Sequence, residues 1–393
     1  MTKTLEFRRL GPAIFFALLP AAAVTGGLAL PPLAGQSGLA ALDPSNLRAA
    51  ALRNRTFLIL LGIFIGWCVL STAWSPNPDH RQALRLAATV LGGLLFVAAC
   101  GRDARSRGLT EAAGGAALLV TAAFLCVEAF MNMPFTRAGQ PHEIREWVLQ
   151  RNPGRAASLL IVFGWAVLAG WLGRGGPWRW MLAILLVAAS GVLATQFDMQ
   201  ANIVAFGLGL VAFALGFAVP RIGVIAVSSI AAIWLAASPF LTPLLTRNSA
   251  LIDQLPFSWA MRTQVWDFAA ARIQERPWFG RGLDASRMFP DTIIVRGQTT
   301  HAIPLHPHSA SLQIWLETGA IGAGLGVMTL LVGGFAMARA FRANRLAAGA
   351  VCATLASVAV IANVSFGAWQ EWWDATAFVA AALIASLPTS AKA

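Results

Sequence analysis

Two histidines separated by one proline, His306-Pro307-His308, stand where the longest polar stretch of the chain runs into a hydrophobic helix, Leu305 to Gly322. An imidazole titrates near neutrality, as a general base for a hydroxyl nucleophile should. Pro307 keeps His306 out of helical geometry and lets a helix begin near Ser309. His308 then falls at a helix N-terminus, where unsatisfied N–H groups and the helix dipole favour anions. A histidine beside an apolar run more often packs than catalyses; this junction favours catalysis.

The second chemical group is arginine. The polar stretch 239–309 carries Arg247, Arg262, Arg272, Arg276, Arg281, Arg287 and Arg296. Most of these read as a solvated surface. Arg262 is different, because it opens a segment (258–273) whose apolar residues Trp259, Val265, Trp266, Ala269, Ala270 and Ile273 fall broadly on one helical face. Arg155, at the start of the apolar run 156–173, occupies the corresponding place across the chain. Two guanidinium forks at a membrane surface suit a lipid diphosphate and would stabilise it as a leaving group. Pro277 ends the 258–273 helix, and Gly280-Arg281-Gly282 predicts a tight turn that phosphate could approach. Arg281 and Arg287 are therefore further candidates for diphosphate contact. His301, His306 and His308 do not have a recurrent zinc spacing, and no nucleophile-elbow motif is present. No metal and no cofactor is expected.

The elements that must hold these residues are membrane spans. The chain is 57% hydrophobic and only 12% charged, where a soluble domain carries about 25% charged residues. Long apolar runs without period-2 alternation predict an all-α polytopic membrane protein and exclude a β-barrel. Candidate spans are 56–73, 83–100, 112–131, 156–173, 180–196, 201–219, 222–238, 310–338, 346–363 and 373–387. Residues 11–42 make one long span or two short ones broken near Gly26-Gly27.

Charge placement decides between these. The net charge is +12, and the only lysines are Lys3 and Lys392. The arginines sit mostly between apolar runs, so topology and anionic lipids explain the charge better than nucleic acid does. Placing Lys3, Arg8, Arg9 and the turns at 48–55, 102–107, 174–179, 221 and 339–345 on one face requires two crossings in 11–42, hence about twelve spans. The chain then divides into an N-terminal bundle (1–238), a large loop with short amphipathic helices (239–309) and C-terminal helices (310–393). Cys68, Cys100, Cys126 and Cys352 read as small buried side chains. Within the spans the ionisable residue that stands out is Glu128, near an end.

These motifs resemble the O-antigen ligase/polymerase family of membrane glycosyltransferases. The family's ligase pattern, His-[Asn/Ser/Gln], nine residues, Gly, two residues, then Gly, Thr or Tyr, is met by His308-Ser309, Gly319 and Gly322. Arg262 to Trp266 followed by Pro277, Gly280 and Gly282, the early Ser71, Trp74 and Ser75, and Trp369-Gln370-Glu371-Trp372-Trp373 also look typical. The departures are Ser309 for the commoner Asn, Asn152-Pro153-Gly154 before Arg155, and Thr195 to Gln200 where the family often has an arginine.

The resemblance implies an enzyme of the bacterial inner membrane whose site faces the periplasm and needs neither metal nor nucleotide. Such enzymes move a glycan from undecaprenyl diphosphate onto an acceptor hydroxyl, with His308 and Arg262 in the catalytic places and Arg155 the less securely matched arginine. The ligase pattern favours lipid A–core as acceptor. A polymerase joining lipid-linked repeat units is the alternative. A lipid-glycan transporter would need mid-span ionisable residues or symmetric halves, which the sequence does not offer.

Overall fold

The computed structural model describes residues 2–139, 144–247 and 249–390. Residues 140–143 and Lys392 lie outside them. The helices are α1 (Thr2–Val24), α2 (Leu30–Ala40), α3 (Pro44–Arg53), α4 (Arg55–Leu70), α5 (Arg81–Cys100), α6 (Ala104–Phe130), α7 (Pro134–Ala138) and α8 (Glu146–Arg174). They continue as α9 (Pro177–Gln196), α10 (Gln200–Ala218), α11 (Pro220–Leu245), α12 (Ser249–Gln254) and α13 (Phe257–Glu275). A hairpin of β1 (Thr292–Val295) and β2 (Gln298–His301) precedes α14 (Ala310–Ala340), α15 (Arg345–Val364) and α16 (Glu371–Ser386). Asp43, Asp103, Ser309 and Asn344 each accept a backbone N–H in the first turn of the following helix, which fixes those starts.

Among the described residues nine helices are at least 18 residues long and apolar enough to cross a bilayer. The chain is a multi-pass helical membrane protein. The expected twelve spans are not reached on length: α2 has 11 residues, α16 has 16, and the short apolar part of α1 is Leu10–Val24. Residues 11–42 do break at Gly26 and Gly27, which hold φ of 82° and 77°. Left-handed backbone of this kind is routine only for glycine.

Contacts between helix ends sort the two faces. On one, Arg102 Nη1 donates to Ala41 O, Asn344 Nδ2 to Pro388 O, and Arg174 pairs with Glu111 at 2.6 Å. The other face gathers the Gly26–Gly27 turn, Arg155, the segment after α11 and the loop 365–370. At the centre runs α8, whose residues Ala156 to Trp171 are buried on every side, as a helix apolar all round must be. Arg155 sits at the mouth of that buried run.

The large loop begins later than the prolines suggest. Pro239 and Pro243 lie inside α11, which continues to Leu245. A proline there removes the N–H that would bond Leu235 O. The Trp315 indole N–H replaces it at 2.7 Å, with the Ser238 hydroxyl also directed at that carbonyl. The loop then runs from Thr246 to Ser309. The helix expected at 258–273 is α13, held by burial of Val265, Trp266, Ala269 and Ile273 against Ile303, Leu312 and Leu316. Burying such an aliphatic side chain stabilises by roughly 1.5–3 kcal/mol, and no side chain caps α13, so packing decides its place. The hairpin was not expected; its turn residues Arg296 and Gly297 have φ of 48° and 79°, the arrangement that two-residue hairpin turns require.

One feature of α14 organises the loop. Gly319 holds φ 67° and ψ −169°, so the helix breaks there and resumes. A break strands backbone groups on both sides. The 277–282 segment fills them: Arg281 N donates to Leu316 O (2.9 Å), Gly282 N to Glu317 O (2.8 Å) and Ala320 N to Pro277 O (2.7 Å). Trp67 Nε1 takes Thr318 O at 2.9 Å. The Gly280-Arg281-Gly282 turn is therefore not a phosphate cradle. A Cβ on Gly280 would lie 2.4 Å from Glu317 C, and one on Gly282 2.5 Å from Ser75 Cα. The glycines let backbone meet backbone.

A Cβ at position 319 would lie 2.3 Å from Trp278 O. Gly319→Ala is expected to abolish a monodisperse folded peak in detergent size-exclusion with thermal challenge. Gly324→Ala, where nothing lies within 4 Å of the added carbon, should leave the melting temperature unchanged or higher; equal behaviour of the two would contradict this role for the break.

Candidate functional site

Just before the break, Glu317 is fully buried and collects donors from three parts of the chain. Its carboxylate accepts from Asp284 N (2.6 Å), Ser286 N (3.3 Å), Ser286 Oγ (2.5 Å), Gln313 Nε2 (3.0 Å) and Trp369 Nε1 (2.6 Å). All five are donors, which suits an ionised carboxylate, a group that only accepts. Around it, Ser75 Oγ donates to Leu283 O, Ser71 Oγ accepts from Leu283 N, and Gln82 Nε2 donates to Trp369 O. The early serines thus hold Leu283, beside the 284–286 donors to that carboxylate, while the late tryptophan binds the carboxylate directly.

Gln313 carries the same network to the histidines. Its Oε1 accepts Ala368 N at 2.8 Å and so fixes the 365–370 loop. Ser365 O in that loop faces His308 Nδ1 at 3.0 Å. A carbonyl only accepts, so Nδ1 carries the proton and Nε2 keeps its lone pair. Ser309, the N-cap of α14, donates to Asn363 Oδ1 at 3.2 Å. His308 itself has φ 53°, a left-handed conformation uncommon outside glycine. His306 is buried beside it, the rings edge to face with centroids 4.7 Å apart.

The electrostatics show which arginines lie near. Burial, then the Arg262 guanidinium, lowers the His308 imidazole to about 4; the bond to Ser365 opposes this. Burial pushes His306 well below the usual histidine value, and the charges of His308, Arg287, Arg262 and Arg155 act in the same direction. His308, Arg262 and Arg155, far apart in sequence, therefore meet on one face of the membrane domain.

Their partners differ from those of the other loop arginines. Arg262 donates only to Ser258 O (2.9 Å) and lies over the Trp259 ring at 5.5 Å. Arg155 lies over Trp372 at 5.0 Å. Each keeps a buried Nε–H without an acceptor, and neither forms an ion pair among the described residues. Burial lowers the Arg262 pKa, and Asp198 opposes it. Arg281 is paired with Glu275 and stacked on Phe289, while Arg287 Nε donates to Asp284 at 2.7 and 2.9 Å. Of the four candidate arginines, Arg155 and Arg262 form no ion pair among the described residues, Arg287 is paired but near the histidines, and Arg281 is engaged with the loop.

Ser365 and Asn363 join the site only once the loops meet. Gln313, Glu317 and Asp198 stand in motifs of the sequence that assign them no role, although an acid inside an apolar run, the signal that singles out Glu128, is present at Glu317 too. Glu128 instead accepts Phe135 N and the Thr136 hydroxyl at the start of α7. His301 ends β2 and is exposed.

Residues 199–327 match the family model described as O-antigen ligase. The match spans Arg262 and His308 and leaves Arg155 outside. A Rickettsia conorii protein named as a polysaccharide ligase is 28% identical over 230 residues, covering 56% of this chain and 54% of that protein. Proteins of the same description from Rickettsia bellii and Rickettsia typhi are each 24% identical over 324 residues, covering 80% and 79% of this chain and 76% of their own length. The chain thus spans about half of the first relative and about three quarters of the other two.

Removing a nearby positive charge favours the protonated imidazole. In protein labelled with ¹³C-histidine, the His308 resonance, assigned by its loss in His308→Ala, is expected to titrate near 4. Arg262→Gln should move that midpoint upward. A wild-type midpoint at the ordinary 6.5, or no movement in the variant, would contradict the proximity of these groups.

Proposed function

We propose that this chain, which belongs to the O-antigen ligase family, moves a glycan from undecaprenyl diphosphate onto an acceptor hydroxyl at the periplasmic face of the inner membrane. The reaction is an inverting glycosyl transfer. His308 Nε2 takes the proton of the acceptor hydroxyl as its oxygen attacks the anomeric carbon. The bond from that carbon to the diphosphate oxygen breaks, and the electron pair leaves with the lipid diphosphate. Arg262 and Arg155 hold the departing anion, with Arg287 at its edge. Arg281, tied to Glu275, serves the fold of the loop.

The observation that carries this reading is the pairing of two guanidinium groups that lack carboxylate partners with an imidazole whose Nδ1–H is spent on Ser365 O. Buried or half-buried arginine without counter-charge is costly unless an anion completes it. A low imidazole pKa also keeps His308 unprotonated at neutral pH, ready to accept a proton. Once a diphosphate neutralises Arg262, the imidazole becomes a stronger base at the moment the proton must move. The acceptor we assign is lipid A–core, as the ligase pattern at His308-Ser309, Gly319 and Gly322 favours; the relatives are named as polysaccharide ligases, which agrees with ligation but names no acceptor. No metal or other cofactor has a role in this scheme.

Loss of a general base typically costs about 10²–10⁴ in rate. A deletion strain complemented with His308→Ala, at wild-type protein level, is expected to show no capped lipopolysaccharide on a silver-stained gel; Arg262→Ala should do the same. A normal ladder from His308→Ala would contradict the mechanism. Retention of single-repeat bands in the deletion strain would assign a polymerase instead of a ligase.

A further inference from the structure

His306 is the titratable group at this site that the mechanism leaves unused. It is buried, and both ring nitrogens are engaged: Nδ1 accepts the backbone N–H of His308 at 3.1 Å, and Nε2 faces the Gln370 side-chain amide at 2.9 Å. The backbone of Gly367 lies against the ring, so closely that a Cβ there would sit 2.9 Å from His306 Cγ. No lone pair or proton of His306 is left for a substrate.

The bond to His308 N–H has a consequence for the backbone. A side-chain acceptor that binds the N–H two residues on closes a turn of the kind asparagine and aspartate make. Here it closes over Pro307, which has no N–H of its own to offer. The residue held by that bond is His308, at φ 53°, and Ser309 directly after it is extended at φ −147°. Left-handed backbone persists for a non-glycine residue where surrounding structure over-determines it. The φ of His308 sets the direction in which its side chain leaves the chain, towards Ser365 O on one nitrogen and the open side on the other.

The amide of Gln370 completes the arrangement. With Nδ1 accepting, a neutral His306 carries its proton on Nε2 and needs an acceptor there. Turning the Gln370 amide so that Oε1 meets Nε2–H supplies one, and it brings into use an oxygen otherwise buried without a partner.

We propose that His306 is a positioning residue: its Nδ1, by accepting the His308 N–H, locks the catalytic imidazole in the one backbone conformation that presents Nε2 to the acceptor hydroxyl. This rests on the reading of His308 as the base, and the test separates the two. Full-length protein in lipid nanodiscs is assayed with undecaprenyl-diphosphate-linked glycan and purified lipid A–core. His306→Leu keeps bulk but has no acceptor, and a misaimed base should lower kcat by about 10²-fold with KM for the lipid-linked donor unchanged. His306→Asn can accept the same N–H through Oδ1 and should recover most of kcat. Wild-type kcat in His306→Leu, an effect on KM alone, or equal loss in both variants would overturn the proposal. His308→Ala is run beside them: if it is active, the reading beneath has failed, whereas if it is inactive while His306→Leu is fully active, only the role of His306 has.

Discussion

A single carboxylate in a broken helix holds together the segments around the large loop of this protein. Glu317 ends the first piece of α14, is fully buried, and faces five donors and no acceptor. Hydrogen bonds to a charged group contribute roughly 1.5–3 kcal/mol each, and removing their acceptor would leave every donor stranded. The donors come from three places in the chain: the 283–286 turn, α14 itself and the loop before α16. Two residues later Gly319 opens the helix, and the 277–282 backbone supplies the missing partners. Loop and helix form one hydrogen-bonded unit, although they belong to different parts of the sequence.

The chemistry depends on that unit at one remove. Gln313 bridges Glu317 to the 365–370 loop, and that loop offers Ser365 O to His308. The same α14 start, buried against α13, fixes the helix that carries Arg262. Arg155 is placed independently, inside α8 just before its buried run from Ala156 to Trp171. One part of the structure thus brings an imidazole and a guanidinium, and another brings a guanidinium stacked on Trp372.

Much of this was legible in the sequence, for identifiable reasons. Apolar length marks helices that cross lipid, so the ten clear spans all correspond to helices, and α13 showed itself by periodicity. Ser309 after a proline marked the start of α14. The failures share a cause: partners distant in sequence. Pro239 looks like a helix end until Trp315 takes over the carbonyl it frees. Gly280 and Gly282 look like a phosphate turn until the break at Gly319 claims their backbone. Arg281 and Arg287 look as available as Arg262 until Glu275 and Asp284 are seen beside them. Charge parity gives twelve spans, whereas nine helices among the described residues are long enough to cross a bilayer, because α2 and α16 are short helices packed into the bundle.

The central claim is that Arg155 and Arg262 share one diphosphate beside the free nitrogen of His308. Cryo-electron microscopy of the full chain in nanodiscs with undecaprenyl diphosphate tests it most directly. The account predicts diphosphate density bridging the two guanidinium groups, with His308 Nε2 facing the side from which a sugar would be attacked. Diphosphate density seated on Arg281, or on the arginine-rich opposite face, with Arg155 and Arg262 bare, would contradict it.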